Sequence, residues 1–451
     1  MVSFESSFER GTDFLNRNFK KCLFACISIF IFALLALSFL SPLQPDTVQR
    51  LYQCAVPSMI YVPPMINEAI SIQHEEFNNR RRRLSAALRE DKLDALIMEP
   101  TVSMDYFANI TTGSWGLSER PFLGIIFSDD EPYPGDVASR IYFLVPKFEL
   151  PRAKELVGKN IDAKYITWDE DENPYQVLYD RLGPLKLMID GTVRNFIAQG
   201  LQYAGFTTFG VSPRVASLRE IKSPAEVDIM SRVNIATVAA IRSVQPCIKP
   251  GITEKELAEV INMLFVYGGL PVQESPIVLF GERAAMPHGG PSNRRLKKSE
   301  FVLMDVGTTL FGYHSDCTRT VLPHGQKMTE RMEKLWNLVY DAQTAGIQML
   351  SHLTNTSCAE VDLAARKVIK DAGYGEYFIH RLGHGLGLEE HEQTYLNPAN
   401  KGTPVQKGNV FTVEPGIYIP DEIGIRIEDA VLASDVPILL TNFRAKSPYE
   451  P

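Results

Sequence analysis

The feature that most constrains this chain is an order of elements used twice in its second half. Two helix-like stretches, about 224–245 and 253–267, precede a strand-rich segment from Phe301 to Leu322. Two more, about 329–351 and 358–372, precede another from Val410 to Leu432. Each strand-rich segment reads as a hairpin of apolar strands around a turn. Ser223-Pro224-Ala225-Glu226 is a helix start, with a capping box and proline at the first helical position. Thr253 with Glu256, and Ser357 with Glu360, repeat the box at the second helix of each half. A helix pair plus a hairpin, occurring twice, predicts a pseudo-twofold α+β domain over 218–451 with sheet inside and helices outside.

Upstream, His74 to Glu90 reads as a helix with Arg80 to Arg83 on a solvated face. Ala95–Met98, Phe122–Phe127 and Ile141–Val145 read as strands and Tyr175–Leu182 as a helix, which indicates an α/β domain over 72–217. Asp105, Glu119 and Arg120 read there as surface residues, and no catalytic constellation is visible in this half. The chain is 45% hydrophobic and 22% charged, which excludes a disordered protein or a low-complexity fibre. Fifty-four acidic against 46 basic residues leave no surplus of positive charge for phosphates, so nucleic acid is not an expected partner. Six cysteines in 451 residues do not make a disulfide framework, and they read as bystanders.

The run Cys22–Leu40 carries no charge and is long enough to cross a bilayer as a helix. Arg10, Arg17, Lys20 and Lys21 precede it, and no basic residue lies between Ser41 and Pro45. The positive-inside rule then gives a type II, single-pass membrane protein, with a cleaved signal peptide as the alternative reading of the same run. Residues 1–21 are its cytosolic tail, 22–40 its transmembrane anchor, 41–71 an irregular proline-rich stalk, and the remainder a lumenal or extracellular body.

The candidate chemistry lies in the two hairpins and between them. Asp305 sits in an apolar strand and Asp316 follows beyond a turn; Glu414 and Glu428 repeat the arrangement in the second hairpin. An unpaired carboxylate is costly to bury, and like charges held together call for a cation. Between the hairpins, His380, glycine-flanked His384 and His391 crowd one short stretch, and His288 precedes two glycines upstream. Four strand carboxylates and one histidine, with no thiolate, make a five-ligand set for two harder divalent ions: Mn²⁺ above all, with Co²⁺, Fe²⁺ or Zn²⁺ also compatible. Cys317, next to Asp316, reads as a small buried residue rather than a nucleophile.

On these residues, the stretch from about 220 to 435 resembles the pita-bread metallopeptidases, the group of methionine aminopeptidase, aminopeptidase P and prolidase. The resemblance implies Asp305, Asp316, His384, Glu414 and Glu428 as ligands of two metals. It implies His288 as a substrate-side histidine, His391 as the contact to the scissile carbonyl, and Glu414 as a proton shuttle. His380, Tyr418 and Arg426 match the proline-specific branch, whose extra creatinase-like N-terminal domain residues 72–217 resemble. The implied activity is hydrolysis of the Xaa-Pro bond of dipeptides or short peptides. The alternatives are an aminopeptidase P acting on longer Xaa-Pro peptides, a metal-free C–N hydrolase resembling creatinase, and a non-catalytic binding protein of the same fold. A homodimer is implied by the resemblance alone.

Overall fold

The apolar runs of the first half pair into a mixed six-stranded sheet. Its strands are β1 (Ala95–Met98), β2 (Leu123–Phe127), β3 (Ile141–Pro146), β4 (Ala163–Trp168), β5 (Lys186–Ile189) and β6 (Thr207–Phe209), in the order β4-β3-β2-β1-β5-β6. The β1–β2 and β2–β3 pairs are antiparallel and the others parallel. All of β1 and β2 is buried, because apolar side chains pack against both faces. This computed structural model describes residues 46–128, 140–158, 161–272, 276–353 and 355–451.

The helix His74–Glu90 forms as its sequence predicts, but its arginines do not all face solvent. Arg80 and Arg81 are fully buried. The Arg80 guanidinium stacks 4.1 Å from the Tyr106 ring, donates to the Tyr106 carbonyl (3.0 Å) and meets Glu76 (2.6 Å), Glu226 (3.3 Å) and the Tyr313 hydroxyl (3.1 Å). Arg81 donates to the Phe107 carbonyl at 2.6 Å. Burial is tolerated because each cation meets oxygen acceptors. Asp105 is likewise not a plain surface residue. It is half-buried, and its carboxylate lies beside the tight turn at Gly312, where φ is +83°.

The catalytic half contains β7 (Ile277–Phe280), β8 (Val302–Val306), β9 (Thr309–Leu310), β10 (Tyr313–His314) and β11 (Cys317–Val321). After the second helix pair come β12 (Gly383–Gly385), β13 (Glu392–Leu396), β14 (Val410–Val413), β15 (Gly416–Ile419), β16 (Ile423–Arg426), β17 (Asp429–Leu432) and β18 (Ile438–Leu439). The first group makes the sheet β11-β8-β7; the second makes β13-β12-β14-β17-β18, with β15–β16 a hairpin of its own. All three capping boxes form, at Ser223, Thr253 and Ser357. Helices Glu330–Met349 and Cys358–Asp371 cover the second sheet over a core of Trp336, Val339, Phe411, Val413 and Ile425. The pita-bread arrangement, helices outside and sheet inside, is therefore present.

Residues 47–67 are not irregular. They form the short helices Thr47–Ala55, Val56–Met59 and Val62–Asn67. This hook buries Ala55, Met59, Val62 and Ile66, and Arg232 donates to the Met65 carbonyl at 2.7 Å. Cys54 in the hook is disulfide-bonded to Cys247, so these two cysteines are structural; Cys317 and Cys358 are free and buried. The type II membrane topology is corrected. Among the described residues no helix is long and apolar enough to cross a membrane, and the run 22–40 lies outside those residues. Residues 54–66, expected to be part of a stalk, instead pack on the catalytic half.

Candidate metal centre

Strand pairing decides where the carboxylates fall. Antiparallel β8 and β11 pair Asp305 with Thr318 and Val306 with Cys317, which sets Asp316 at the mouth of β11 beside Asp305. Antiparallel β14 and β17 pair Val413 with Asp429, so Glu414 and Glu428 flank that rung on opposite strands. The two hairpins are stitched together where the Glu428 amide donates to the Thr318 carbonyl (3.0 Å) and the Thr320 hydroxyl to the Arg426 carbonyl (2.9 Å). All four carboxylates line one cavity of about 930 Å³, together with His288, His380, His384, His391 and Arg426.

His384 is oriented by a backbone contact. Its Nδ1 lies 3.0 Å from the Gly385 carbonyl, an acceptor, so Nδ1 carries the hydrogen. The Nε2 lone pair then points at Asp316 (3.4 Å) and Glu414 (3.6 Å). Ligand atoms of Asp316, His384 and Glu428 all lie within 4.8 Å of one another. Asp305 is turned partly aside, paired with Arg426. Burial and the neighbouring carboxylates push the carboxyls of Asp316, Glu414 and Glu428 well above their ordinary range. Burial lowers His384 to about 3, holding it neutral. A neutral imidazole amid mutually repelling carboxylates suits a divalent cation that takes oxygen and nitrogen donors. Cys317 adds no thiolate: burial raises its pKa, and its Sγ faces the Glu428 carbonyl at 3.5 Å.

The remaining expected residues form a relay beside this cluster. Arg426 donates to the Tyr418 oxygen (2.9 Å), and the Tyr418 hydroxyl lies 2.8 Å from His380 Nε2. His380 Nδ1 donates to the Arg381 carbonyl (2.6 Å), so Nε2 accepts from Tyr418. Arg426 also reaches Thr318 Oγ1 (3.0 Å), which donates to Glu428 (2.6 Å); its guanidinium thus ties Asp305 to Glu428. His391 and His288 are exposed to the cavity, and the His391 ring lies 4.2 Å from that of His384.

Other lining residues escape the sequence reading: His314, Arg381 and Glu390 among them. Each lies within two residues of one that does stand out, yet its type alone carries no signal. Glu392, next to His391, is buried and turned away from the cavity. It pairs with Lys222 (2.6 Å) and accepts from the Leu388 amide (3.1 Å), while Arg219 pairs with Glu389. The interdomain segment 219–222 thereby grips the loop that carries His391.

The fold and this centre define a metallopeptidase of the pita-bread class. Residues 228–435 match the model of metallopeptidase family M24. An uncharacterized peptidase of Staphylococcus haemolyticus is 36% identical over 301 residues, 64% of this chain and 81% of the relative. Among solved structures, a dipeptidase from Pyrococcus horikoshii is 31% identical, with a TM-score of 0.69 over 80% of this chain and 97% of its own. A prolidase from Thermococcus sibiricus is 28% identical, with a TM-score of 0.70 over 84% of this chain and 99% of its own. The chain belongs to metallopeptidase family M24, and it is a metal-dependent hydrolase of peptide bonds.

Proposed function

We propose that this enzyme hydrolyses the Xaa-Pro bond of dipeptides, with Asp305, Asp316, His384, Glu414 and Glu428 holding two divalent ions, preferentially Mn²⁺. The observation that carries the reading is the aim of the His384 lone pair at carboxylates supplied by both hairpins, buried Asp316 and half-buried Glu414. Similarity to a prolidase and a dipeptidase over nearly their whole lengths supports the substrate class. Divalent ions in such a site supply a hydroxide nucleophile at neutral pH and Lewis-acid polarisation of the carbonyl.

The chain's own groups supply the rest. Glu414, half-buried with a raised pKa, is suited to hold a proton and pass it to the departing proline nitrogen. His391 and His288, facing the cavity, are placed to donate to the carbonyl oxygen as it gains charge. The Arg426–Tyr418–His380 relay fixes the orientation of Asp305 and, through Thr318, of Glu428. A proline nitrogen offers no N–H, and none of these contacts requires one. The test is incubation of the Mn²⁺-loaded full chain with Gly-Pro and with a longer Xaa-Pro peptide, against Asp316→Ala as control. Cleavage of Gly-Pro that Asp316→Ala abolishes is expected; no cleavage of either peptide refutes the reading.

A further inference from the structure

Three glutamates crowd the loop that carries His391: Glu389, Glu390 and Glu392. The interdomain segment holds two of them. Glu389 pairs with Arg219, and Glu392 with Lys222 at 2.6 Å. Those pairs anchor the loop on both sides of Glu390, whose own side chain lines the metal-centre cavity. Among the described residues no cation and no hydrogen-bond donor meets its carboxylate. Nor does it join the metal centre, where the ligand atoms that converge within 4.8 Å belong to Asp316, His384 and Glu428. Those three residues are buried and Glu390 is exposed, so it stands nearer the cavity mouth.

A carboxylate held at the mouth of a cleft without a counter-charge is matched only when a substrate brings one. We propose that Glu390 receives the cationic side chain of a lysine or arginine placed before the scissile bond, so that Lys-Pro and Arg-Pro are favoured over uncharged Xaa-Pro dipeptides. The inference rests on the peptidase reading above and names the Xaa which that reading leaves open. Glu414, from the second hairpin, serves the leaving nitrogen. Asp305 and Asp316, from the first, then flank the residue on the other side of the scissile bond, and Glu390 lies within electrostatic reach of both. The α-ammonium of that residue sits one carbon from the scissile carbonyl and stays among the buried carboxylates. A lysine ammonium or an arginine guanidinium instead rides on a flexible stem that extends toward the mouth. Pro271, Val272 and Ile277 line the same cavity and offer apolar surface to such a stem.

The test compares kcat/KM for Lys-Pro, norleucine-Pro and Glu-Pro, and for Lys-Leu with norleucine-Leu, on the Mn²⁺-loaded full chain. Norleucine keeps the stem and drops the ammonium. Wild type, Glu390→Gln and Glu390→Lys are measured alongside each other. An ion pair at a half-open site gives Lys-Pro an advantage over norleucine-Pro of about 5- to 20-fold in the wild type. Glu390→Gln is expected to bring the two within about twofold, and Glu390→Lys to favour Glu-Pro over Lys-Pro. Equal rates on Lys-Pro and norleucine-Pro in the wild type overturn the proposal, as does a Lys-Pro advantage that survives in Glu390→Gln. Salt gives a check that needs no variant: at about 1 M, where screening acts over about 3 Å, most of the wild-type advantage should disappear, and an advantage unmoved by salt also overturns the proposal. Cleavage of the leucine pair without the proline pair defeats the proline reading and leaves the side-chain comparison intact. Calorimetric affinities for Lys-Pro and norleucine-Pro decide the matter where no bond is cut; equal affinities there overturn it too.

Discussion

Replacing both Cys54 and Cys247 by serine removes the one cross-link among the described residues, between positions 193 apart in sequence. In the chain-entropy account, closing a loop of that length disfavours the unfolded chain by about 5 kcal/mol. At about 2.1 cal/mol/K per residue over roughly 400 residues, the same figure corresponds to a fall in Tm of about 6 °C. The hook is not lost outright in the variant, because Ala55, Met59, Val62 and Ile66 remain buried and Arg232 still grips the Met65 carbonyl. The catalytic cavity feels the change through packing: Val62 and Ile66 lie against Gly268 and Gly269, just before the cavity-lining Pro271 and Val272. The expected result is therefore a lower unfolding midpoint and a KM raised severalfold with kcat nearly kept. Thermal and urea unfolding with steady-state kinetics measure both. Iodoacetamide labelling with intact-mass analysis tests the bond, since neither Cys54 nor Cys247 is expected to label in the native unreduced protein. A variant that melts within a degree of wild type refutes the reasoning, as does native labelling of Cys54.

The carboxyl of Asp105 is raised to about 6, chiefly by burial, against an ordinary value of 3.8. A raised acid contributes stability below its unfolded pKa that is lost as pH rises through 6, so Asp105→Asn is expected to stabilise by about 2–3 kcal/mol at pH 7 and not at all at pH 3.5. Urea titrations at the two pH values check it. Lys222→Met leaves Glu392 buried without its cation, so a loss of about 3–5 kcal/mol is expected, with kcat falling more than KM as the His391 loop loosens. Lys222→Arg should recover part of both, and kinetics unchanged in Lys222→Met would separate the linker from the site. The raised carboxyls of Asp316, Glu414 and Glu428 predict a metal-free protein that loses stability as pH rises above the ordinary carboxylate range, and a metal affinity that increases over the same interval. Melting curves with EDTA and with Mn²⁺ across pH 5 to 8 should therefore diverge with increasing pH; parallel curves would mean that these groups do not bind metal.

Local information carried much of this molecule. The three capping boxes form because each is a reciprocal contact three residues long. That the four carboxylates would meet in one cavity was legible because apolar strands with an embedded acid state their own conflict, and each hairpin turn brings two such acids to neighbouring rungs. What escaped is uniformly long-range. Arg80 and Arg81 look like a solvated run until Tyr106, Phe107, Glu226 and Tyr313 fold over them. Cys54 and Cys247 are bystanders until the hook lies down, and nothing local to Glu392 announces its pairing with Lys222, 170 residues away.

The centre's geometry follows from how closely the backbones approach at its two glycines. A Cβ at Gly307 would collide with the Ser315 carbonyl, and one at Gly383 with the Thr412 carbonyl. Each collision would push apart a pair of segments that carries proposed ligands: Asp305 and Asp316 in the first case, His384 and Glu414 in the second. The two halves of the pseudo-twofold domain thus solve one problem in the same way. Each brings its acids together by close backbone packing beside a glycine, and leaves the repulsion to be answered from outside the strand pair. Arg426 answers part of it, from a position where it touches Asp305 directly and Glu428 through Thr318. A single guanidinium cannot balance four carboxylates, so the deficit that remains is the electrostatic requirement a pair of divalent cations would meet.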